Sequence, residues 1–357
     1  MPETLKFKKI LIIKPSSLGD ILHTFQAVSL IAEKCPGASI DWLVNSSLAL
    51  LPKFHPNVNN VLLFPRKELA NLKLMPKSFF SLKKELKKNT YDLVIDFQGL
   101  MRSALFAKLA SAPVIAGFEN PREKLASLFY NKKISIPDSK IHAVEKNIYL
   151  AASLLNADYK VPQTELKSFP DIKKSLLEKL SKYGIMENDI IAGVSPVTRW
   201  ESKNWSPEFF AESINKIADK KKNVKFLVIG AENDKSAADE IVAKVKSANV
   251  VSFTGKTTVV ELVELIKLFS LLISNDSGPV HIAAVLNIPV ICMFGPTLAE
   301  KTGPFGSVHS IMSADVDCAG CLKRICPLNS YKCHSAIKPE QAAEKALDIL
   351  HCSKSSI

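Results

Sequence analysis

LLISNDSGPVHIAAVLNIPVICMFGPT (Leu271–Thr297) holds a strand, a turn, a helix and a second strand in succession. The apolar run ends at Asp276, Ser277 and Gly278 supply a tight turn, and Pro279 takes the first helical position, where its missing N–H costs nothing. PVICMFG (Pro289–Gly295) then opens the next strand. Strands that are apolar throughout, separated by helices, belong to a parallel sheet covered on both faces. The fold class is α/β.

The same rhythm runs along the whole chain. In the N-terminal half, KKILIIK (Lys8–Lys14), SIDWLV (Ser39–Val44), NVLLF (Asn60–Phe64), YDLVIDF (Tyr91–Phe97) and PVIAGF (Pro113–Phe118) read as strands, with helices over Ile21–Cys35 and Met101–Ala110. After a polar, proline-bearing stretch at Tyr159–Pro170 the pattern restarts with DIIAGVS (Asp189–Ser195), VKFLVIG (Val224–Gly230), NVVSFTG (Asn249–Gly255), LLISND (Leu271–Asp276) and PVICMFG. Two doubly wound domains are expected, residues 1–165 and 166–357, facing each other across a cleft at the carboxyl ends of their strands.

The totals set limits. A chain of 357 residues, 47% apolar and 23% charged, fits two globular domains and not a disordered segment. No apolar run approaches the roughly 20 residues needed to span a bilayer, and MPETLKFKK leads straight into a strand, so a cytoplasmic protein is expected. The net charge of +12 and pI near 9.2 imply an anionic partner: nucleic acid, a membrane surface or phosphorylated substrates. Most of that charge is lysine on helix faces such as SLKKELKKN (Ser81–Asn89). Arginine is scarce, at Arg66, Arg102, Arg122, Arg199 and Arg324, and its planar fork suits phosphate and carboxylate better than lysine does. No nucleic-acid-binding module accompanies the charge.

Some apparent motifs fail on inspection. GKTT (Gly255–Thr258) lacks the earlier glycine of a P-loop, whose position is taken by Val250, and no G-x-G-x-x-G follows a strand. DVD (Asp315–Asp317) sits in a loop beside a cysteine cluster and is assigned no metal.

Two strand-to-helix turns carry the candidate chemistry. In the second domain, the turn at Asp276, Ser277 and Gly278 aims a helix N-terminus at the cleft, a site suited to a diphosphate, with His281 early in the same helix. An ordinary Asp-Ser-Gly turn is the plain alternative. SPVTRWESKNWSPEFF (Ser195–Phe210) places Arg199 and Lys203 in the loop after that domain's first strand. In the first domain, Lys14, Ser16, Ser17, Gly19 and Asp20 occupy the matching turn. There Asp20 is either a helix cap or a base that takes a proton from an acceptor hydroxyl. DFQGLMRSA (Asp96–Ala104) and NPREK (Asn120–Lys124) add Arg102 and Arg122 at further loop ends.

With these residues assembled, the chain resembles glycosyltransferase family 9, the family of the lipopolysaccharide heptosyltransferases. KPSSLGDILHTFQAV, DFQGLMRSAL, GFENPREKLASLFYNKK, HAVEKN, RWESKNW, NDSGPVHIAA and FGPT occur in the family's order over nearly the whole chain. The resemblance implies a GT-B fold of two Rossmann-like domains, the N-terminal one holding the acceptor and the C-terminal one ADP-heptose. It places a final helix at about 338–352 back on the N-terminal domain. It implies inverting transfer of heptose to Kdo of lipid A with no required metal, on the cytoplasmic face of the inner membrane. Asp20 falls on the catalytic base, with Lys14 beside it and Ser17 and Gly19 in the acceptor turn. Asp276, Ser277, Gly278 and His281 match the nucleotide-sugar motif, Ser277 replacing a threonine. Lys203 matches a phosphate-binding lysine, with Arg199 one residue further off than in the family pattern. Glu232 is a candidate for the ribose, and Arg102 and Arg122 for acceptor Kdo and phosphate. Transfer to a heptose or a protein, an epimerase of the same architecture, and a non-catalytic nucleic-acid-binding protein are the rival readings.

Of the seven cysteines, Cys35, Cys292 and Cys352 are scattered, whereas CAGCLKRICPLNSYKC clusters Cys318, Cys321, Cys326 and Cys333. Four thiols so spaced suggest a structural Zn or Fe site, with free thiols or a disulfide as competing readings.

Overall fold

The apolar runs form two sheets of six parallel strands each. The computed structural model describes residues 7–65, 68, 75–138, 140–247 and 249–352, so Arg66 and the side chain of Cys352 lie outside the described residues. The chain divides into the units Met1–Lys167 and Ser168–Ile357. The first holds β1 (Lys9–Ile13), β2 (Ser39–Asn45), β3 (Val58–Phe64), β4 (Leu93–Asp96), β5 (Val114–Phe118) and β6 (Lys132–Ile134), in the order β3-β2-β1-β4-β5-β6. The second holds β7 (Ile190–Ser195), β8 (Val224–Val228), β9 (Val250–Ser252), β10 (Phe269–Asn275), β11 (Val290–Phe294) and β12 (Ser310–Ser313), in the order β12-β11-β10-β7-β8-β9. Counted from its own first strand, the second sheet repeats the order of the first. In each, the winding reverses between the first and fourth strands, β1 and β4 or β7 and β10, and ligands of such sheets bind beyond the strand ends at that reversal.

Burial on both faces explains why the central strands carry no alternation. Ile10 to Ile13 of β1 and Leu271 to Ile273 of β10 are all at 0% exposure, and truncating Ile12 or Ile273 to alanine costs about 2–5 kcal/mol. The edge strands β6 and β12 escape the sequence reading for the complementary reason. They are only three and four residues long and partly exposed, so no apolar run marks them.

Two helix starts differ from expectation. The helix expected over Ile21–Cys35 begins at Leu18 and is split into Leu18–Leu22 and Phe25–Lys34. At the break the Thr24 hydroxyl donates to the Asp20 carbonyl (2.9 Å), and Asn147 Nδ2 donates to both the His23 carbonyl and Thr24 Oγ1 (3.1 Å each), drawing groups away from the helical ladder. The helix after β10 is Gly278–Val285, which makes Pro279 its second residue rather than its first.

The closing helix Pro339–Cys352, expected against the N-terminal domain, lays Ala342, Ala346, Leu347 and Leu350 into the core of the second unit. There they join Phe210, Ile214 and Ile217 of the helix Pro207–Lys220. Ser213 Oγ donates to the Pro339 carbonyl (3.0 Å) and Trp205 Nε1 to that of Ile337 (3.0 Å).

Candidate active site

In the first unit, the β1/β4 reversal is bridged by Lys14. Its Nζ, buried, donates to the Phe97 carbonyl just beyond β4 (2.9 Å). Burial lowers the Lys14 pKa, the Asp20 and Asp96 carboxylates hold it up, and the Arg122 guanidinium presses it down again. Asp20, half-buried, is the third residue of the helix Leu18–Leu22, and its Oδ2 accepts from the Ser17 N–H (2.9 Å) and the Ser17 hydroxyl (2.8 Å). Ser17, which is exposed, is the N-cap; Asp20 is therefore not the N-cap of the plain reading but the acid of a capping box. That contact orients the carboxylate beside Lys14. Gly19 is buried in the same turn.

Sequence reasoning passed over two charged residues here. Asp96 ends β4 at 0% exposure. Its Oδ1 accepts from the N–H groups of Gln98 (2.8 Å) and Gly99 (3.2 Å), its Oδ2 from Ser103 Oγ (2.7 Å) and Tyr130 OH (2.7 Å). Burial pushes its pKa up, and these four donors pull back. The Tyr130 ring lies flat on the backbone of β5, and a Cβ at Gly117 would sit 2.4 Å from it, so only glycine admits the tyrosine. Lys146, on the helix Ala143–Leu155, holds its ammonium 4.5 Å from the centre of the Phe118 ring, and burial, then Lys14, lowers its pKa. Asp96 opens DFQGLMRSA, where Arg102 alone drew notice, and Lys146 lies in HAVEKN, where no residue did. Arg122 is exposed but within electrostatic reach of Lys14; Arg102 lies on the exposed face of the helix Met101–Leu109.

In the second unit, the β7/β10 reversal is built the same way. Asn275, at 0% exposure, donates to the Pro196 carbonyl (2.6 Å) and accepts from the Trp205 N–H (3.0 Å), fastening the loop after β7 to the end of β10. It too was missed, being hidden inside an apolar run. Asp276 Oδ2 accepts from Lys203 Nζ (2.5 Å) and Thr297 Oγ1 (2.8 Å). Lys203 also sits 4.8 Å from the Trp200 ring centre, while Trp205 is buried in the core. Ser277 is the N-cap of the helix Gly278–Val285, its Oγ 3.1 Å from Ser274 Oγ and 3.4 Å from Ser195 Oγ. Gly278 is the first helical residue and His281 stands half-buried within the first turn. Arg199 is exposed on the loop. Glu232, exposed after β8, lies over Gly255, where a Cβ would fall 1.9 Å from its Oε2. The turn therefore offers an anion a helix N-terminus, a serine hydroxyl and a lysine.

A family model described as glycosyltransferase family 9 (heptosyltransferase) matches residues 79–332. The chain belongs to glycosyltransferase family 9. It is a glycosyltransferase with a GT-B fold, made of two Rossmann-like domains. Lipopolysaccharide heptosyltransferase 1 of Pseudomonas aeruginosa is 29% identical over 332 residues, 89% of this chain and 87% of that one. Lipooligosaccharide heptosyltransferase 2 of Campylobacter jejuni is 28% identical over 348 residues, 96% and 98% of the two chains. Among solved structures, E. coli heptosyltransferase WaaC with ADP matches with a TM-score of 0.77 at 25% identity, over 96% of this chain and 99% of that one.

In this family 9 enzyme the cysteine segment straps the candidate donor loop. Ser202, next to Lys203, donates its N–H to the Arg324 carbonyl (3.1 Å) and its hydroxyl to that of Lys323 (2.5 Å). Gly320 and Leu322 donate to the carbonyls of Gly295 (2.9 Å) and Pro296 (2.7 Å), and Tyr331 bonds Glu201. The fold keeps the four clustered cysteines near one another, Cys318, Cys321 and Cys326 all acting electrostatically on Cys333. Among the described residues, no group of three or more His, Cys, Asp or Glu is placed to hold an ion, and Cys318, Cys321, Cys326 and Cys333 are all free thiols. Cys333 is buried while Cys321 is exposed. Burial, then the neighbouring Cys318, Cys321 and Cys326, raises the Cys333 pKa. No disulfide joins them either.

Proposed function

We propose that this glycosyltransferase moves heptose from ADP-L-glycero-D-manno-heptose to Kdo of the lipopolysaccharide inner core, inverting the anomeric carbon. Asp20 removes the proton of the acceptor hydroxyl as its oxygen attacks, and Lys14 steadies the carboxylate. Lys203, Ser277 and the N–H groups at Gly278 receive the negative charge of the departing ADP, with Arg199 and His281 nearby and Asp276 holding Lys203 in place. Glu232 binds the ribose, and Ser17, Gly19, Arg102 and Arg122 bind the acceptor. The step combines general-base assistance with stabilisation of growing charge. Fixed cations and a helix terminus do what a divalent ion does elsewhere, so no catalytic cofactor is invoked.

One observation carries the reading. The same point in two identically wound sheets holds a carboxylate beside a buried lysine in one, and a lysine–carboxylate pair at a helix N-terminus in the other. A heptose acceptor is the second reading, favoured by the similarity to the Campylobacter jejuni heptosyltransferase 2. Because the acceptor carries lipid A, the enzyme works as a peripheral protein on the cytoplasmic face of the inner membrane. No helix among the described residues is long and apolar enough to cross a membrane, and the excess lysine suits an anionic lipid surface. Incubation with ADP-heptose and defined truncated lipid A acceptors, followed by mass analysis, tests it: a single heptose added to Kdo-lipid A supports the proposal. Addition only to an acceptor already carrying heptose supports the second reading, and consumption of donor without acceptor points to an epimerase.

A further inference from the structure

The first unit leaves an apolar face uncovered beside its candidate site. The 3-10 helix Lys124–Phe129 and the helix Met101–Leu109 pack together through Ala126, Ala104, Phe106 and Ala107, all within the unit's core. Their opposite sides carry leucine: Leu125 and Leu128 are 62% and 72% exposed, and Leu105 is 36% exposed. In a 3-10 helix, residues three apart eclipse, so Leu125 and Leu128 form one ridge. On the other helix Arg102, Leu105 and Lys108 are spaced three apart and all exposed, which puts cations on both sides of the leucine. Lys124, Lys132 and Lys133 are exposed as well. The adjacent acid, Glu123, is engaged, its Oε2 accepting from the Met101 N–H (2.6 Å).

The face sits at the ligand end of the sheet. Glu123 donates its N–H to the Gly99 carbonyl (3.0 Å), two residues past the Phe97 carbonyl that Lys14 grips, which fixes the segment to the end of β4. We propose that this face docks on an anionic lipid surface, Leu125 and Leu128 entering the headgroup layer while Lys108, Lys124, Lys132 and Lys133 meet lipid phosphates. Charge complementarity selects that occupant. A second copy of the chain docking through the same face would set lysine against lysine, whereas apolar residues ringed by cations fit a bilayer bearing negative headgroups. The inference rests on the lipid-linked acceptor proposed above: docking here brings the sugar end of a membrane-anchored acceptor to the Asp20 turn.

The test uses the full chain with vesicles of phosphatidylethanolamine and phosphatidylglycerol, and neutral phosphatidylcholine vesicles as control. Wild type sediments with the anionic vesicles, in a salt-sensitive manner. The double variant Leu125→Ser/Leu128→Ser, altered only at exposed positions, binds them about tenfold more weakly. Lys108→Glu/Lys124→Glu loses binding and most of the salt dependence. Turnover of Kdo-lipid A presented in those vesicles falls in both variants, while turnover of a de-acylated, soluble acceptor stays within about twofold of wild type. Unchanged vesicle binding in the leucine variant overturns the proposal, as does an equal loss on the soluble acceptor or a wild-type dimer that the leucine variant dissociates. If wild type transfers heptose to neither acceptor yet shows the vesicle pattern, the assigned reaction fails and the docking face stands.

Discussion

Lys203 and Asp276 form an ion pair at 2.5 Å, with side chains 16% and 6% exposed, and Thr297 Oγ1 donates to the same carboxylate oxygen at 2.8 Å. The pair ties the loop after β7 to the turn after β10, so the cation is fixed in place before any anion arrives. Breaking such a pair strands a largely buried charge. Asp276→Ala should therefore destabilise the fold by about 2–3 kcal/mol in urea unfolding, near the low end for a buried pair because Lys203 keeps some solvent. Lys203→Ala should weaken ADP binding about tenfold or more by calorimetry, the loss of one charge-assisted contact.

Gly295 lies beneath the cysteine strap. A Cβ there would fall 2.6 Å from His334 Nε2 and 2.8 Å from Cys333 Sγ, and both side chains are buried, so neither has room to yield. Gly295→Ala should cost about 1–3 kcal/mol of stability by overpacking. Because the same strap holds Ser202, it should also weaken ADP binding, whereas Cys321→Ser, at an exposed thiol, should change neither. Calorimetry and thermal unfolding on the two variants separate these outcomes.

Two buried histidines make stability depend on pH. His55, at 0% exposure, is pushed down to about 4 by burial, against the upward pull of its bond to the Phe25 carbonyl (3.1 Å). His334, at 2% exposure, is likewise pushed down to about 4, with the Ser202 backbone and Asp276 pulling up. A folded pKa below the unfolded value of about 6.5 means the unfolded chain binds the proton more readily. Each histidine's contribution is thus whole above about pH 6.5 and is lost as pH falls toward 4, on the order of 3 kcal/mol apiece. Urea titrations should show wild type losing stability from pH 7 to 4.5 and His55→Gln losing distinctly less over that range. Parallel slopes for the two proteins would count against the assignment.

The cysteine segment gives a metal prediction. If Cys318, Cys321, Cys326 and Cys333 hold a structural ion, freshly purified protein carries stoichiometric zinc or iron and chelator treatment lowers its unfolding temperature; free thiols give neither effect. Elemental analysis reads this directly.

The parts of the molecule legible in the sequence were those where one constraint dominates. β1, β4, β7 and β10 are buried on both faces and announce themselves as apolar runs, and the turns at Gly19 and Gly278 follow from where those runs stop. β6 and β12, at sheet edges and half in solvent, leave no such mark. Asp96 and Asn275 stayed hidden because a buried polar residue satisfied by distant partners, such as Tyr130 or Trp205, is indistinguishable in sequence from a strand end. Lys146 reaches its neighbours only through the packing of the helix Ala143–Leu155, which spacing along the chain does not reveal. The cysteine spacing marked a real cluster, since Cys318, Cys321 and Cys326 neighbour Cys333 in the fold, but spacing alone does not say whether those thiols hold an ion.

Asp20 both caps a helix and stands as the proposed base, and one substitution separates the two roles. Asparagine keeps an oxygen for the Ser17 N–H but cannot take a proton. Turnover of ADP-heptose with Kdo-lipid A by Asp20→Asn, set beside its ADP-heptose affinity and its stability, is the most direct measurement. General-base catalysis by Asp20 predicts a fall in turnover of about 10²–10⁴-fold, with affinity and stability close to wild type. Turnover within a fewfold of wild type would leave Asp20 a cap alone and contradict the account.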